Sequence, residues 1–105
     1  MERPWSWIFF SSLGEKAHYK VLKLIEALRQ QGIVVGHNLA KSSLKAQMEA
    51  ADKAGASHTL IMGQKEVHDG TIIIRDMDSG NQEIVDQAKI IAEVKKLTKG
   101  RRSRR

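Results

Sequence analysis

The chain has 105 residues, enough for one domain with its own core and too few for a catalytic domain joined to a separate recognition domain. Its hydrophobic content of 41% and charged content of 29% are typical of globular proteins, and no apolar run approaches the roughly 20 residues that cross a bilayer. Cysteine is absent, which excludes disulfides, thiol nucleophiles and thiolate zinc sites. We therefore expect a cytoplasmic protein without a membrane partner.

The positive charge is concentrated at one end of the chain. The net charge is +6, and five of these charges come from the last seven residues, KGRRSRR, so residues 1–98 are almost neutral. We expect residues 99–105 to form a basic, disordered tail, because chain ends are commonly disordered. The alternative is a tail that contacts phosphates without reading sequence.

The first predicted strand follows a polar lead-in, and together they occupy residues 1–12. Four of the five aromatic residues lie at positions 5–10, on both faces of this strand, which favours a central position in a sheet over a platform for stacking bases. The remainder of a single domain is predicted over residues 13–98. Its first helix has one apolar stripe, and Gly32 suits the left-handed position after the helix. The stripe comprises Ala17, Val21, Leu24, Ile25 and Leu28.

Residues 32–63 have the pattern of strand, polar loop, helix and strand. The strands are predicted at residues 33–35 and 59–62, and the connection between them is long enough for parallel pairing. The helix is predicted to bury Leu44, Met48 and Ala51, to expose Lys45 and Gln47, and to end at Gly55. Ligands usually bind at the loops that follow such strands, which here are residues 11–15, 37–43 and 63–67.

The second of these loops has the side chains best suited to binding an anion. It leads to a helix amino terminus, where free backbone N–H groups and the helix dipole favour phosphate. A serine before a helix is more often only an N-cap, and both roles can coexist. The candidate site residues in and beside the three loops are His37, Asn38, Lys41, Ser42, Ser43, Lys45, Gln47, Ser12 and Glu15.

The rest of the chain predicts a meander and a final helix. Residues 63–70 are predicted to be a loop with a tight turn at Asp69-Gly70, followed by strands at residues 71–75 and 82–85 and a helix over residues 86–98. The predicted order is βαβαβββα, an α/β fold whose sheet has a mixed-sense edge.

Motifs for intrinsic chemistry are absent from the sequence. The four histidines lie on different predicted elements without metal-ligand spacing, and no nucleophile elbow, glycine-rich phosphate loop or dinucleotide fingerprint occurs. We expect no metal, no cofactor and no catalysis from this chain alone.

From Leu13 to about Leu97 the sequence resembles the C-terminal anticodon-binding domain of class II aminoacyl-tRNA synthetases, and within that group the histidyl-tRNA synthetases. The matching segments are LGE at residues 13–15, SLKAQM at 43–48, ADKAGA at 51–56, Gly63, Gly70-Thr71, Arg75-Asp76 and GNQE at 80–83. The loop residues Lys41-Ser42-Ser43 depart from the family pattern, which is often glycine-rich or carries arginine there.

The resemblance implies a three-layer α/β/α fold with a five-stranded mixed sheet and one antiparallel strand. It also implies binding of a tRNA anticodon stem-loop, specific for histidine, with a synthetase catalytic domain or a homodimer partner elsewhere. The alternative is a protein-interaction or regulatory paralogue that keeps the fold without tRNA specificity. An autonomous small enzyme has no motif in its favour.

Overall fold

The computed structural model describes residues 8–37 and 43–102, with the side chains of the last helix given through Leu97. The first half of this fold contains β1 (Ile8–Ser12), α1 (Glu15–Gln30), β2 (Gly36–His37), α2 (Leu44–Lys53) and β3 (His58–Met62). The second half contains α3 (Gln64–Asp69), β4 (Thr71–Asp76), β5 (Gln82–Asp86), a 3₁₀ turn (Gln87–Lys89) and α4 (Ile90–Arg102).

The described strands form one five-stranded sheet in the order β2-β1-β3-β4-β5. β1 pairs in parallel with β2 and β3, whereas β4 is antiparallel to both β3 and β5. β4 is therefore the one strand that runs against the others, and the predicted mixed sheet with parallel first strands is confirmed. β1 is central, as its apolar character on both faces predicts, and all five of its residues are buried.

Helices cover the two faces of the sheet with cores of different size. The large core packs the even-numbered β1 side chains Ile8 and Phe10 against α1, α4 and the neighbouring strands. The small core lies on the opposite face, where Phe9 meets Ala51 and Ala56 of the α2 region. This arrangement is the predicted α/β/α sandwich, and α2 is the helix that covers the second face.

The second strand lies later in the sequence than predicted. Residues 33–35 form no strand, since Ile33 completes the end of α1 by donating its N–H to Leu28 O at 3.0 Å. Gly32 has a positive φ of 82° and donates its N–H to Arg29 O. These features and the bond from Ile33 to Leu28 form a Schellman motif with Gly32 at the predicted C′ position. Val34 is 72% exposed, and pairing with β1 begins only at Gly36.

A short helix replaces the loop predicted over residues 63–70, so the order is βαβαβαββα rather than βαβαβββα. α3 begins after Gly63, whose N–H donates to Glu66 Oε1 at 2.8 Å, and ends at Gly70 with φ 74°. The Asp69-Gly70 pair therefore terminates a helix instead of forming a hairpin turn. Six residues are too few to show an apolar helical period, which explains the wrong prediction.

The carboxyl-terminal part also differs from the predicted boundaries. β5 extends to Asp86 and the 3₁₀ turn precedes α4, which begins at Ile90 instead of residue 86. The α4 backbone continues through Arg102, into the first four residues of the predicted basic tail. Lysine and arginine favour helices and are stabilising near a helix carboxyl terminus. Residues 103–105 lie outside the described residues, as do residues 1–7.

Ile8 of β1 and Leu97 of α4 lie at the same edge of the sheet. Ile8 pairs with His58 where β1 and β3 begin, and His58 and Asp76 line a cavity of about 300 Å³ together with Leu97 of α4. β1 therefore enters, and α4 leaves, at the edge where the parallel strands begin. Within the described part, no helix is long and apolar enough to cross a membrane.

Candidate nucleic-acid interface

The carboxyl ends of β1, β2 and β3 meet at one edge of the sheet, which we call the rim. It consists of residues 12–15, His37, residues 43–47 and residues 63–68. Leu13 N donates to Met62 O at 3.0 Å, which links the first and third loops directly. Among the predicted site residues, Glu15, His37, Ser43 and Lys45 are exposed here.

Ser43 is the N-cap of α2. Its backbone is extended, and its Oγ accepts a hydrogen bond from Ala46 N at 3.1 Å. The N-cap interpretation is therefore confirmed, and Lys45 is presented from the first turn of the helix. The predicted site residues Asn38, Lys41 and Ser42 lie outside the described residues.

The sequence pattern predicts that Gln47 lies on the exposed side of α2, but in the structure Gln47 is buried. Its side chain is 2% exposed, its Oε1 accepts from Ser12 N at 2.8 Å, and its Nε2 donates to Ser12 O at 2.7 Å. β2 pairs only with Phe9 and Phe10, so the amide occupies the edge of β1 just beyond the end of β2. Gln47 thus completes the sheet, and both polar ends of its amide are already engaged.

Ser12 is also enclosed, although it lies at the end of a strand beside the rim. The residue is 7% exposed, and its Oγ shares a hydrogen bond of 2.9 Å with Nδ1 of the half-buried His18 on α1. This bond joins β1 to the first turns of α1. Ser12 therefore fixes the shape of the rim through its backbone and hydroxyl contacts.

A cavity of about 400 Å³ opens at the rim between the first turn of α1 and α3. Gly14, Lys16, Gln64 and His68 line it, and Val67 gives it an apolar wall. Gly14 has a φ of 93°, a conformation that favours glycine and lets the chain turn from β1 into α1. Gln64 and His68 were not predicted as site residues, because no helix was predicted to start after Gly63. The glutamate at position 66, three residues after Gly63, is the sequence signal for that helix start.

The described part of the rim offers imidazole, amide and ammonium donors with two carboxylates, Glu15 and Glu66, of which Glu66 accepts from Gly63 N. Such a set suits phosphate oxygens and the polar edges of unpaired bases. Over residues 8–37 and 43–102, no group of three or more histidine, aspartate or glutamate side chains is placed to hold a metal ion.

The comparisons with known proteins identify the class to which this fold and rim belong. The family model described as the anticodon binding domain matches residues 8–97. The chain therefore belongs to the anticodon binding domain family, as its sequence pattern predicts.

Two similar proteins indicate the branch of this family. Histidine–tRNA ligase of Rhodococcus jostii is 37% identical over 87 residues, covering 83% of this chain and 21% of the relative. The crystal structure of apo S. aureus histidyl-tRNA synthetase superposes with a TM-score of 0.78 at 26% identity, covering 86% of this chain and 26% of that chain. The chain thus spans about a fifth of the length of the curated relatives it matches.

The same fold also occurs in a synthetase that is named for another amino acid. The RNA binding domain of threonyl-tRNA synthetase from Cryptosporidium parvum superposes with a TM-score of 0.77 at 16% identity, covering 90% of this chain and 24% of that chain. At this identity the likeness concerns the fold alone.

Proposed function

We propose that this chain is a tRNA-binding module that holds the anticodon loop at the rim. Membership of the anticodon binding domain family, over residues that include the whole described rim, is the observation that supports this proposal most strongly. Sequence-specific RNA recognition generally targets unpaired loop bases through base edges and stacking. The exposed side chains of His37 and Lys45 are available for such contacts.

The finer proposal is specificity for the histidine anticodon. It is supported by the curated relatives, which are histidine–tRNA ligases. Lys41 and Lys45 flank the start of α2, and we propose that they meet base edges or phosphates together with His37, Asn38, Ser42 and Ser43. Glu15 faces the same rim and suits a base amino group as an acceptor. Attachment to a synthetase catalytic domain, dimerisation and a cytoplasmic location belong to the same proposal.

The test is a titration of the chain against two RNA hairpins that differ only in the anticodon. Lys41→Ala and Lys45→Ala should each weaken binding of the histidine-anticodon hairpin by roughly 1–3 kcal/mol if a base contact is lost. Lys45→Ala should leave the fold intact, because Lys45 is exposed and surface changes usually cost within about 0.5 kcal/mol. Circular dichroism checks the fold of both variants. Lys53→Ala is the matched control, since Lys53 is exposed at the other end of the same helix.

The outcomes separate recognition from other roles. A larger loss for the histidine anticodon than for the swapped anticodon supports base reading at the rim. Equal losses of affinity for both hairpins would show that these lysines contact only the RNA backbone and do not read bases. A folded chain that binds neither hairpin would contradict the proposal and favour a protein-interaction role.

A further inference from the structure

The outer face of α1 has a concentration of exposed cations that lie outside the rim residues. Lys16, Lys20 and Lys23 are all exposed and are spaced at i, i+4 and i+7, so they lie along one side of the helix. α1 starts at the rim and runs away from it. At a rise of 1.5 Å per residue, the three lysines span about 10 Å along the axis. We call Lys16, Tyr19, Lys20 and Lys23 the lysine face.

These three charges are not neutralised within the described part of the chain, where none of them forms an ion pair. The carboxylate nearest to Lys23 in sequence on this helix belongs to Glu26, which is bound by Arg29 at 2.9 Å and by Gln30 at 3.2 Å. The hydrogen bond from Arg29 keeps the pKa of Glu26 below its ordinary value. The lysine face therefore differs from α3 and α4, where Lys65 and Lys96 have acidic partners at 3.0 and 3.5 Å.

An aromatic ring lies among the lysines. Tyr19 is 64% exposed, and the Lys23 ammonium lies 5.4 Å from its ring centroid. This position contributes little to the core. An exposed tyrosine beside lysines that form no ion pair suits an RNA backbone, because the ring can pack on a ribose while the ammonium groups contact phosphates.

We infer that the lysine face binds the sugar–phosphate backbone of the RNA stem adjoining the loop at the rim, an inference that rests on the proposed function. Successive phosphates of one duplex strand advance by roughly 3 Å along the axis, so a face about 10 Å long matches about three of them. Lysine is a flexible point charge without a planar fork for reading bases. The rim reads the loop, and the lysine face adds affinity by holding the stem.

The experiment compares two RNAs that carry the same anticodon loop. One is a hairpin with its stem, and the other is an oligonucleotide that contains the loop nucleotides alone. The variant is the triple change Lys16→Gln, Lys20→Gln and Lys23→Gln. The control, Lys53→Gln with Lys95→Gln and Lys96→Gln, removes the same charge from exposed positions on α2 and α4. Affinities are measured by fluorescence anisotropy over a range of salt concentrations, and circular dichroism checks the fold.

We expect the triple variant to raise the Kd for the hairpin at least tenfold and to leave the Kd for the loop oligonucleotide within about threefold. The slope of log Kd against log salt should decrease by about 2–3 for the hairpin, since each lost duplex phosphate contact contributes about 0.9. The control variant should change the hairpin Kd less than threefold.

Three results would overturn the inference: an equal loss from the control variant, an unchanged salt slope, or an equal loss for the loop oligonucleotide. Failure of the proposed function gives a different result. In that case the wild-type chain shows no preference between the histidine anticodon and a swapped anticodon. That preference is measured at constant stem, so it is independent of the comparison between hairpin and loop oligonucleotide.

Discussion

The two faces of the sheet are stabilised in different ways. On the side of α1 and α4, the large core contains twelve buried residues, among them the bulky side chains of Phe10, Leu60 and Ile72. On the side of α2, the small core contains three buried residues of the described chain, two of which are alanines. Small residues let α2 approach the sheet closely, but they bury little apolar area. Polar contacts therefore have a larger share in holding α2.

This difference has a functional meaning, because α2 carries Ser43 and Lys45 and follows the loop with most of the proposed RNA-binding residues. Ligand-binding segments commonly belong to the less stable parts of a protein. The large core thus supports the sheet, while the side with the proposed RNA-binding residues is held by fewer apolar contacts. Three substitutions test this comparison.

The largest effect should follow from a truncation in the large core. Leu60→Ala removes a side chain that is 0% exposed, and we expect a loss of about 2–5 kcal/mol in the free energy of unfolding measured with urea. Ile84→Ala is the matched control, since Ile84 is 67% exposed on the same sheet and should cost about 0.5 kcal/mol. If Leu60→Ala does not fold, Ile72→Val should still cost about 0.5–1.5 kcal/mol. Equal costs for the buried and exposed positions would contradict a core at Leu60.

A smaller and more local effect is expected at the junction of α2 with β1. Gln47→Ala leaves the buried N–H and C=O of Ser12 without their partner, which should cost about 1–3 kcal/mol. Hydrogen exchange should accelerate in α2 while the amides of β4 keep their protection. Gln47→Glu retains the acceptor but loses the donor, and the exposed Gln30→Ala serves as control. If a Gln47 variant has normal stability but loses RNA binding, Gln47 contacts RNA, as the sequence predicted.

The smallest effect concerns the start of α2. Ser43→Ala removes the acceptor for Ala46 N and should lower stability by about 1 kcal/mol, whereas Ser43→Asn should retain most of it. Thermal unfolding measures the stability of both variants, and hairpin binding is measured in parallel. If Ser43→Asn restores stability without restoring affinity, the hydroxyl contacts RNA in addition to capping the helix.

The sequence predicted those features that depend on local chemistry and short periods. Gly32 and Gly55 end their helices with φ of 82° and 77°, as glycines after apolar periods predict. The length of the connection between the second and third predicted strands indicated parallel strands, and the turn at Asp78-Ser79-Gly80 predicted the antiparallel pair of β4 and β5. Each of these inferences needs only residues near one another in the chain.

The features that the sequence did not predict depend on contacts distant in the chain. Gln47 is buried because Ser12, 35 residues earlier, needs hydrogen-bonding partners beyond the end of β2. Ile33 is β-branched and apolar, as strand residues often are, but its N–H bonds to Leu28 O at the end of α1. The second strand therefore lies at residues 36–37 instead of 33–35. Helical periodicity predicts that a polar residue such as Gln47 is exposed. Only the three-dimensional structure shows that the unpaired backbone of Ser12 lies next to it.

The edge of the sheet opposite the rim has a practical consequence for measuring RNA binding. Ile8 and Leu97 both lie at the edge where the parallel strands begin, and the rim is at the opposite edge. The exposed residue Gln82 lines the cavity at the same edge as Leu97. A dye or a surface linker attached at Gln82 would therefore project away from the rim, so surface-based binding assays can be run without covering it.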